Sequence, residues 1–142
     1  MRTIVFVLTL ALSTTVASAE PPDFSGRWTI DLRTPDERSD PDNCGIAEFD
    51  LAQQGNRITG SHSMATVGCG RVNEGGNVNG VIVEQTAVLV VTSARNGAMV
   101  LGAATIRNGA LYWEYLEQIR DGEPEADSPL ILNTGTLIRA VP

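Results

Sequence analysis

The sequence predicts an all-β fold, an eight-stranded antiparallel up-and-down β-barrel in a single domain. Three observations lead to this prediction. Short runs of alternating apolar and polar residues recur, Asn-Gly pairs stand at 96–97 and 108–109, and no amphipathic helical stretch is longer than a turn or two. Asn-Gly between apolar runs is typical of a hairpin, because a type I′ turn needs φ > 0 at both central residues. The two pairs therefore predict a three-stranded meander over residues 88–116.

Tight turns fix which residues lie opposite one another in this meander. A two-residue turn at 108–109 pairs Gly102 with Tyr115 and Ala104 with Trp113. Large side chains opposite small ones suit the curved, filled interior of a barrel. We therefore expect the face that holds Trp113 to point inward; the opposite assignment is the alternative.

A two-residue turn at 96–97 would likewise pair Val91 with Gly102. The outward face of the meander then carries an apolar stripe. Its members are Val88, Val90, Leu101, Tyr112 and Leu116. Exposed apolar patches often mark interfaces, so this stripe would allow a homodimer or another protein contact.

The other strands follow from the same alternation and from turn-forming residues between them. Trp28 and Leu32 share one face of the first strand, and charged residues occupy the other face. The segments 34–43, 65–75 and 120–129 are rich in Pro, Gly or acidic residues and are predicted as loops. The predicted strands cover about residues 26–33, 45–53, 57–64, 76–83, 86–93, 98–107, 110–118 and 130–140.

Residues 1–19 have the features of an export signal rather than of a folded segment. Arg2 gives the charged start, an apolar run covers 4–12, and Ala17-Ser18-Ala19 is a cleavage-site pattern. The apolar run is too short to span a bilayer, and no later run is long enough. We expect cleavage after the last of these alanines, a mature β-barrel domain over 20–142, and a periplasmic or secreted location.

Composition restricts the function further. The formal net charge of −7 becomes −8 when the signal segment, which holds one Arg and no acid, is removed. This acidity argues against nucleic acid and anionic membranes as partners. The chain has no Lys and one His, which excludes Schiff-base chemistry and leaves few routes to a catalytic triad or a His-rich zinc site. We expect a protein that is not an enzyme and uses no cofactor and no metal. A catalytic alternative, with Glu114 or Glu117 beside a tyrosine, lacks an orienting partner and a nucleophile.

The two cysteines, Cys44 and Cys69, predict one disulfide, because an exported protein meets an oxidising compartment. A hairpin turn at Gly55-Asn56 would set Cys44 opposite residue 67, two positions from Cys69. The bond would then join the far ends of one hairpin. Two free thiols are the alternative.

The same hairpin places His62, the single histidine, on the inward face beside Phe49. One interpretation is a neutral, hydrogen-bonded interior side chain, and the other is a polar contact to a bound ligand. Inward residues toward the same end of the barrel form a candidate ligand pocket. They are Leu32, Ala47, His62, Met64, Gly102 and Tyr115.

Connections in an up-and-down barrel alternate between its ends, so the three long loops fall at one end. Tight turns at 55–56, 84–85 and 108–109 would close the other end. The loop-bearing end carries nine acidic residues against five Arg, which makes its mouth acidic. Loops on a rigid scaffold commonly carry binding sites, whereas acidic loops also serve simply to keep an exported protein soluble.

At the closed end, Gly26 and Trp28 on the first strand and Arg139 near the end of the last form a pattern that resembles the calycins. This group includes lipocalins, fatty-acid-binding proteins, avidins and bacterial metalloprotease inhibitors. The resemblance implies that the Arg packs across the Trp. The inhibitors are similar to this chain in size, strand number and single disulfide, and they thread an N-terminal segment into the protease. Here the corresponding lead, residues 20–23, is short, acidic and stiffened by two Pro.

Two functional hypotheses follow from the sequence. The leading one is lipocalin-like carriage of a small apolar or amphiphilic ligand at the open end of the barrel. The alternative is a protein-binding inhibitor or accessory factor that acts on an extracytoplasmic protein through the acidic loops or the outward stripe. The space above His62 separates them, because a void favours carriage and a packed interior favours protein binding.

Overall fold

The computed structural model describes residues 20–141. The predicted export signal, with its cleavage site, and Pro142 lie outside the described residues. Within that range the chain is built from eight β-strands. They are β1 (Gly26–Asp31), β2 (Ile46–Gln54), β3 (Arg57–Ala65), β4 (Val72–Val83), β5 (Thr86–Thr92), β6 (Met99–Arg107), β7 (Ala110–Arg120) and β8 (Thr134–Arg139).

The strands form a closed barrel in which each pairs antiparallel with its sequence neighbours. Closure is made by β8 and β1, where Trp28 lies opposite Arg139 and Thr29 opposite Ile138. The predicted fold class, an eight-stranded up-and-down barrel in one domain, is confirmed, and it agrees with a calycin-like architecture. The described helical segments are two 3₁₀ turns, Glu37–Ser39 and Val67–Cys69, and no described helix is long and apolar enough to cross a membrane.

The turn at Asn108-Gly109 has the predicted conformation, with φ of 51° and 78° at its two residues. The register that it sets is also as predicted, since Gly102 pairs with Tyr115 and Ala104 with Trp113. A Cβ atom at position 102 would clash with the buried ring of Trp113, so Gly fits this position. The large-against-small arrangement therefore comes from direct packing of a Trp ring on bare backbone.

The prediction for the turn at 96–97 is wrong by two residues of register. Val91 pairs with Val100 instead of Gly102, because the connection covers residues 93–98 rather than two residues. The N–H of Ser93 donates to the carbonyl of Ala98, and the N–H of Gly97 donates to the carbonyl of Ser93. A shift of two keeps every side chain on its predicted face, since faces alternate with a period of two.

The interior of the barrel holds the face predicted to be inward. Trp113, Leu111, Leu89, Val91 and Ala104 are all buried in the core. The outward stripe is partly or largely exposed, with Tyr112 38% and Leu116 51% accessible. The inward assignment of the Trp113 face is therefore confirmed.

Two predicted boundaries are wrong. The strand β4 begins at Val72, four residues before the predicted start, and leaves a connection of residues 66–71. The strand β8 begins at Thr134, although 130–133 were predicted as part of it. Leu130 has a φ of 49°, a left-handed conformation that interrupts an extended strand.

Candidate functional site

All four longer connections lie at one end of the barrel, as predicted, and we call it the loop end. They comprise residues 32–45, 66–71, 93–98 and 121–133. The tight turns 55–56, 84–85 and 108–109 lie at the opposite, turn end. The two ends therefore differ in the length of the connections between strands. The candidate pocket residues and the disulfide belong to the loop end.

A segment of the last connection folds across the mouth of the barrel. We call residues 129–133 the strap. Its three central side chains, Leu130, Ile131 and Leu132, are buried at 7%, 8% and 3% exposure. Ile131 and Leu132 belong to the same apolar cluster as Phe49, Leu89 and Trp113. The strap therefore fills the position where an open barrel would admit a ligand.

His62 holds the strap from inside the barrel. Its Nε2 accepts the N–H of Leu132 at 3.2 Å, and its Nδ1 lies 2.8 Å from the carbonyl oxygen of Glu48. These two bonds require the neutral tautomer with the proton on Nδ1. The ring is stacked on Phe49 with 4.5 Å between centroids. Burial lowers the pKa of His62 to about 4, although the bond to the Glu48 carbonyl acts in the opposite direction. The interpretation as a neutral, hydrogen-bonded interior histidine agrees with this geometry.

Three further side chains bind the main chain of the strap. The indole Nε1 of Trp113 donates to the carbonyl of Leu132 at 2.7 Å. The amide of Asn73 donates to the carbonyl of Leu130 at 3.1 Å, and the hydroxyl of Ser93 donates to the carbonyl of Pro129 at 2.6 Å. The strap is thus recognised through its backbone, with its apolar side chains serving as core.

Four of the six predicted pocket residues form two cross-strand pairs, and the six differ in their burial. Ala47 pairs with Met64 across β2 and β3, and Gly102 pairs with Tyr115 across β6 and β7. Ala47, His62 and Gly102 are buried, whereas Leu32, Met64 and Tyr115 are partly buried against the core. Their assignment to ligand binding stays a prediction.

Asn73 was not among the predicted site residues, because residues 65–75 were predicted to be a loop. Asn73 is buried within β4. Its side-chain oxygen accepts the N–H of Ala94, and its side-chain amide donates to the carbonyl of Leu130 in the strap. Ser93 lies on the inward face of the predicted strand 86–93, but its partner could not be identified without the position of the strap. A polar residue at an inward strand position is the signal that could have pointed to Ser93, whereas Asn73, in a predicted loop, gave no such signal.

The buried polar groups at this end are internally satisfied. No buried side-chain nitrogen or oxygen in residues 20–141 lacks a hydrogen-bond partner. The same part of the chain shows no group of three or more His, Cys, Asp or Glu side chains placed to hold a metal ion. The described interior therefore presents no orphaned polar atom aimed at a missing ligand.

The predicted disulfide between Cys44 and Cys69 is present, with 4.9 Å between the two Cα atoms. It agrees with an oxidising compartment outside the cytoplasm. The hairpin register is as predicted, since Gln54 pairs with Arg57 and Ala47 with Met64. Beside the disulfide, the side-chain oxygen Oδ1 of Asn43 accepts the N–H of Gly68 at 2.8 Å. The β1–β2 loop and the β3–β4 connection are thus tied together.

An ion-pair network fixes the base of the β1–β2 loop. The guanidinium of Arg33 lies 3.0 Å from the carboxylate of Asp31 and donates to the carbonyl of Asn43 at 2.9 Å. Hydrogen bonds from the side chain and backbone of Arg33 lower the pKa of Asp31 to about 2, with a further contribution from Arg38. Asp31 therefore remains ionised throughout the physiological range and holds the loop in place.

The other long loop is also held, at residues 123 and 127. Arg95 pairs with Asp127 at 3.1 Å, and the side-chain amide of Asn96 donates to the carbonyl of Asp127 at 3.1 Å. The N–H of Glu123 donates to the carbonyl of Asn96 at 2.8 Å. The β7–β8 connection is therefore fastened to the β5–β6 turn before it enters the strap.

On the outside of the loop end lies a small apolar surface, the rim patch, formed by Ile46, Val67 and Val72. Each of these side chains is between 37% and 39% exposed. Exposed carboxylates that form no salt bridge within residues 20–141 stand on the loops and strands around it. They are Asp36, Asp40, Asp42 and Glu74, with Asp121, Glu123 and Glu125 on the far loop.

The turn end shows the contact that the calycin resemblance implies. The guanidinium of Arg139 lies over the ring of Trp28, 4.4 Å from its centroid, and donates to the carbonyls of Ser25 and Asp23. Phe24 is fully buried and accepts the Trp28 indole N–H through its carbonyl at 2.9 Å. Residues 23–28 are therefore packed onto the barrel.

Comparison of the chain with protein-family models, with curated proteins and with solved structures finds no match.

Proposed function

We propose that this protein is an exported, non-enzymatic inhibitor or accessory factor that binds another protein through the acidic loops of the loop end. The observation that carries the proposal is the strap. Because residues 130–132 fill the mouth and bind His62 and Trp113, a partner at this end of the barrel would bind the exterior of the loops rather than the interior. Of the two hypotheses from the sequence, a packed interior favours protein binding and a void favours carriage of a ligand.

Preorganisation of the loops supports this proposal. The disulfide, the Asp31–Arg33 pair and the Asp127–Arg95 pair hold both long loops to the barrel. Loops that are ordered before binding lose less conformational entropy when a partner docks. A surface of this kind can bind with useful affinity although its area is small.

Charge and apolarity together describe the partner. The rim patch offers three partly exposed aliphatic side chains, and the carboxylates around it lack basic partners in the described part of the chain. An apolar centre with a charged border is the usual anatomy of a protein interface. The complementary surface would present an apolar side chain among Arg and Lys, and its association rate would fall as salt is added.

Carriage of a small ligand remains the other hypothesis, and it has a structural requirement. The ligand would have to displace the strap, which means breaking the bonds to His62, Trp113, Asn73 and Ser93 and exposing three buried apolar side chains. A partner on the outer rim requires none of these changes. The geometry therefore favours protein binding.

The test compares immobilised wild-type protein with a rim variant, Asp40→Asn/Asp42→Asn/Glu74→Gln. A matched control, Asp50→Asn/Glu84→Gln/Glu114→Gln, removes the same charge from exposed positions that lie outside the rim patch and outside the four connections of the loop end. Extracytoplasmic extract of the source organism is passed over each, and the retained proteins are quantified by mass spectrometry. We expect a basic protein to be retained by the wild type and the control, and to fall by about tenfold on the rim variant.

Retention of the same proteins on the rim variant and the control would contradict the proposal. Native mass spectrometry of the wild-type protein tests the other hypothesis. An apolar compound bound in a one-to-one ratio would support carriage of a ligand instead of protein binding.

A further inference from the structure

Four side chains of the barrel bind the backbone of the strap, and one of the four is titratable. Of its partners, only His62 changes charge in acid, since Asn73, Ser93 and Trp113 do not. His62 is also the single histidine of the chain. A proton added to this side chain therefore acts on the strap without acting on its other anchors.

Protonation of His62 is incompatible with the closed strap. In the closed state the Nε2 lone pair accepts the N–H of Leu132. A proton on Nε2 would replace this acceptor by a donor, so that two N–H groups would face each other. The new charge would also stand in a fully buried position between Phe49 and the strap, where a charge is costly.

The elements packed around His62 offer no charge that would compensate. Phe49 on β2 and Gly76 on β4 lie opposite it in the sheet, and Trp113 on β7 packs on Phe49. The acidic residues of the adjacent strands face outward. They are Glu48, Asp50, Glu74, Glu114 and Glu117, and the first of these forms a salt bridge with Arg27. The titratable inward residue of β7, Tyr115, is a phenol that acid leaves uncharged. The strap itself carries no ionisable side chain in residues 129–133.

The strap is also poised to move. Leu130 has a φ of 49°, and Ala126, just before the strap, has a φ of 66°. Left-handed backbone at a residue with a side chain is strained and persists where the surroundings impose it. The ladder between β7 and β8 ends at Glu114 and Thr134, so the strap can leave with one main-chain bond to β7 broken, from the Tyr115 N–H to the Asn133 carbonyl.

From this geometry we infer that the strap is an acid-released lid: protonation of His62 detaches residues 129–133 and opens the loop end of the barrel while the strands stay paired. Release exposes the apolar side of the strap and the rings of Phe49 and Trp113. The lid does not depend on the proposed protein partner, since it concerns the interior rather than the rim.

The pH window follows from the direction of the pKa shift. Burial lowers the pKa of His62 from 6.5 to about 4 in the closed state, and an opened His62 returns toward its ordinary value. The closed lid is therefore fully stable above pH 6.5 and loses stability as the pH falls toward 4. Linkage over this window raises the opening equilibrium by on the order of 100-fold.

Hydrogen exchange measured by NMR tests the lid. The amide of Leu132 reports the strap, and the amide of Leu89, on the fully paired strand β5, reports the barrel. Between pH 7 and pH 4, and after correction for intrinsic rates, we expect Leu132 to lose about 100-fold in protection while Leu89 changes by less than threefold. An apolar dye that binds in the same window would report the exposed interior.

Two variants separate the lid from general acid sensitivity. His62→Gln keeps a neutral acceptor and donor but does not titrate, so the pH dependence at Leu132 should disappear. Ser93→Ala removes an anchor that does not titrate, so opening should move to higher pH. Equal loss of protection at Leu132 and Leu89, or an unchanged pH dependence in His62→Gln, would overturn the inference.

If His62→Gln does not fold, the wild-type protein still decides the question. The ring protons of His62 give its pKa directly by NMR. A pKa near 6.5 with Leu132 still protected at pH 5 would show that the histidine titrates without releasing the strap, and the lid would be ruled out.

Discussion

The two ends of this barrel are closed by different means. At the turn end, Phe24 and Trp28 fill the space, and Arg139 covers the indole ring while it donates to the carbonyls of Ser25 and Asp23, so closure rests mainly on packing of buried rings. At the loop end, the strap is held by side chains that bind its backbone, and the loops above it by ion pairs and a disulfide. The buried rings of the turn end carry no titratable or redox group, whereas His62 and the disulfide make the loop end dependent on pH and on redox state. The comparison therefore assigns stability to one end and adaptable contacts to the other.

The largest expected effect is at the turn end. Trp28→Ala should lower the free energy of unfolding by about 4 kcal/mol, because it removes a buried ring together with its contacts to Phe24 and Arg139. Chemical denaturation measures this change. The control Tyr112→Ala removes a ring that is 38% exposed and should cost less than about 1 kcal/mol. Similar losses in the two variants would show that the buried ring of Trp28 contributes no more than an exposed ring, and would contradict closure of the turn end by packing.

Removal of the disulfide should have the next largest effect. Cys44→Ser/Cys69→Ser opens a loop of 25 residues, and the chain-entropy model gives a loss of about 3 kcal/mol in unfolding free energy. Amide exchange should accelerate in the β1–β2 loop while residues 24–28 stay protected. An equal acceleration at both ends would mean that the ends are not independent.

The smallest effect concerns two arginines that lie over aromatic rings. Arg139 lies 4.4 Å from the centroid of the buried Trp28, whereas Arg107 lies 5.6 Å from that of the exposed Tyr112. Arg139→Met should cost about 1 kcal/mol, and Arg107→Met less than half of that, because Arg139 also donates to two main-chain carbonyls and the exposed pair is better solvated. Thermal unfolding of both variants gives the comparison, and a larger cost for Arg107→Met would break it.

The fold could be predicted because local turn chemistry agrees with the alternation of the strands. Asn108-Gly109 alone determines the pairing of Gly102 with Tyr115, and Gly55-Asn56 brings Cys44 close to Cys69. At 96–97 the same dipeptide sits in a wider turn, because Ser93 and Ala98 already bond to each other. Dipeptide chemistry predicts that a turn exists more reliably than it predicts its length.

The strap could not be predicted, because its sequence is typical of a strand whereas its contacts impose a different conformation. Residues 130–132 are consecutive apolar residues typical of a buried strand. Their conformation is set instead by Asn73, 57 positions away from Leu130, and by His62, 70 positions away from Leu132. Side-chain bonds to the main chain over such separations leave no periodic pattern. The sequence predicted that the mouth of the loop end is open to a ligand, and it gave no indication that the chain itself fills this mouth.

The closure of the barrel mouth by the chain itself can be observed by NMR cross-relaxation at pH 7. We expect a strong contact between the amide proton of Leu132 and the ring protons of His62, since Nε2 and the Leu132 nitrogen lie 3.2 Å apart. The nitrogen shifts of the ring should show the proton on Nδ1. A rapidly exchanging Leu132 amide without contact to His62 would mean that the mouth is open and that the strap does not close it.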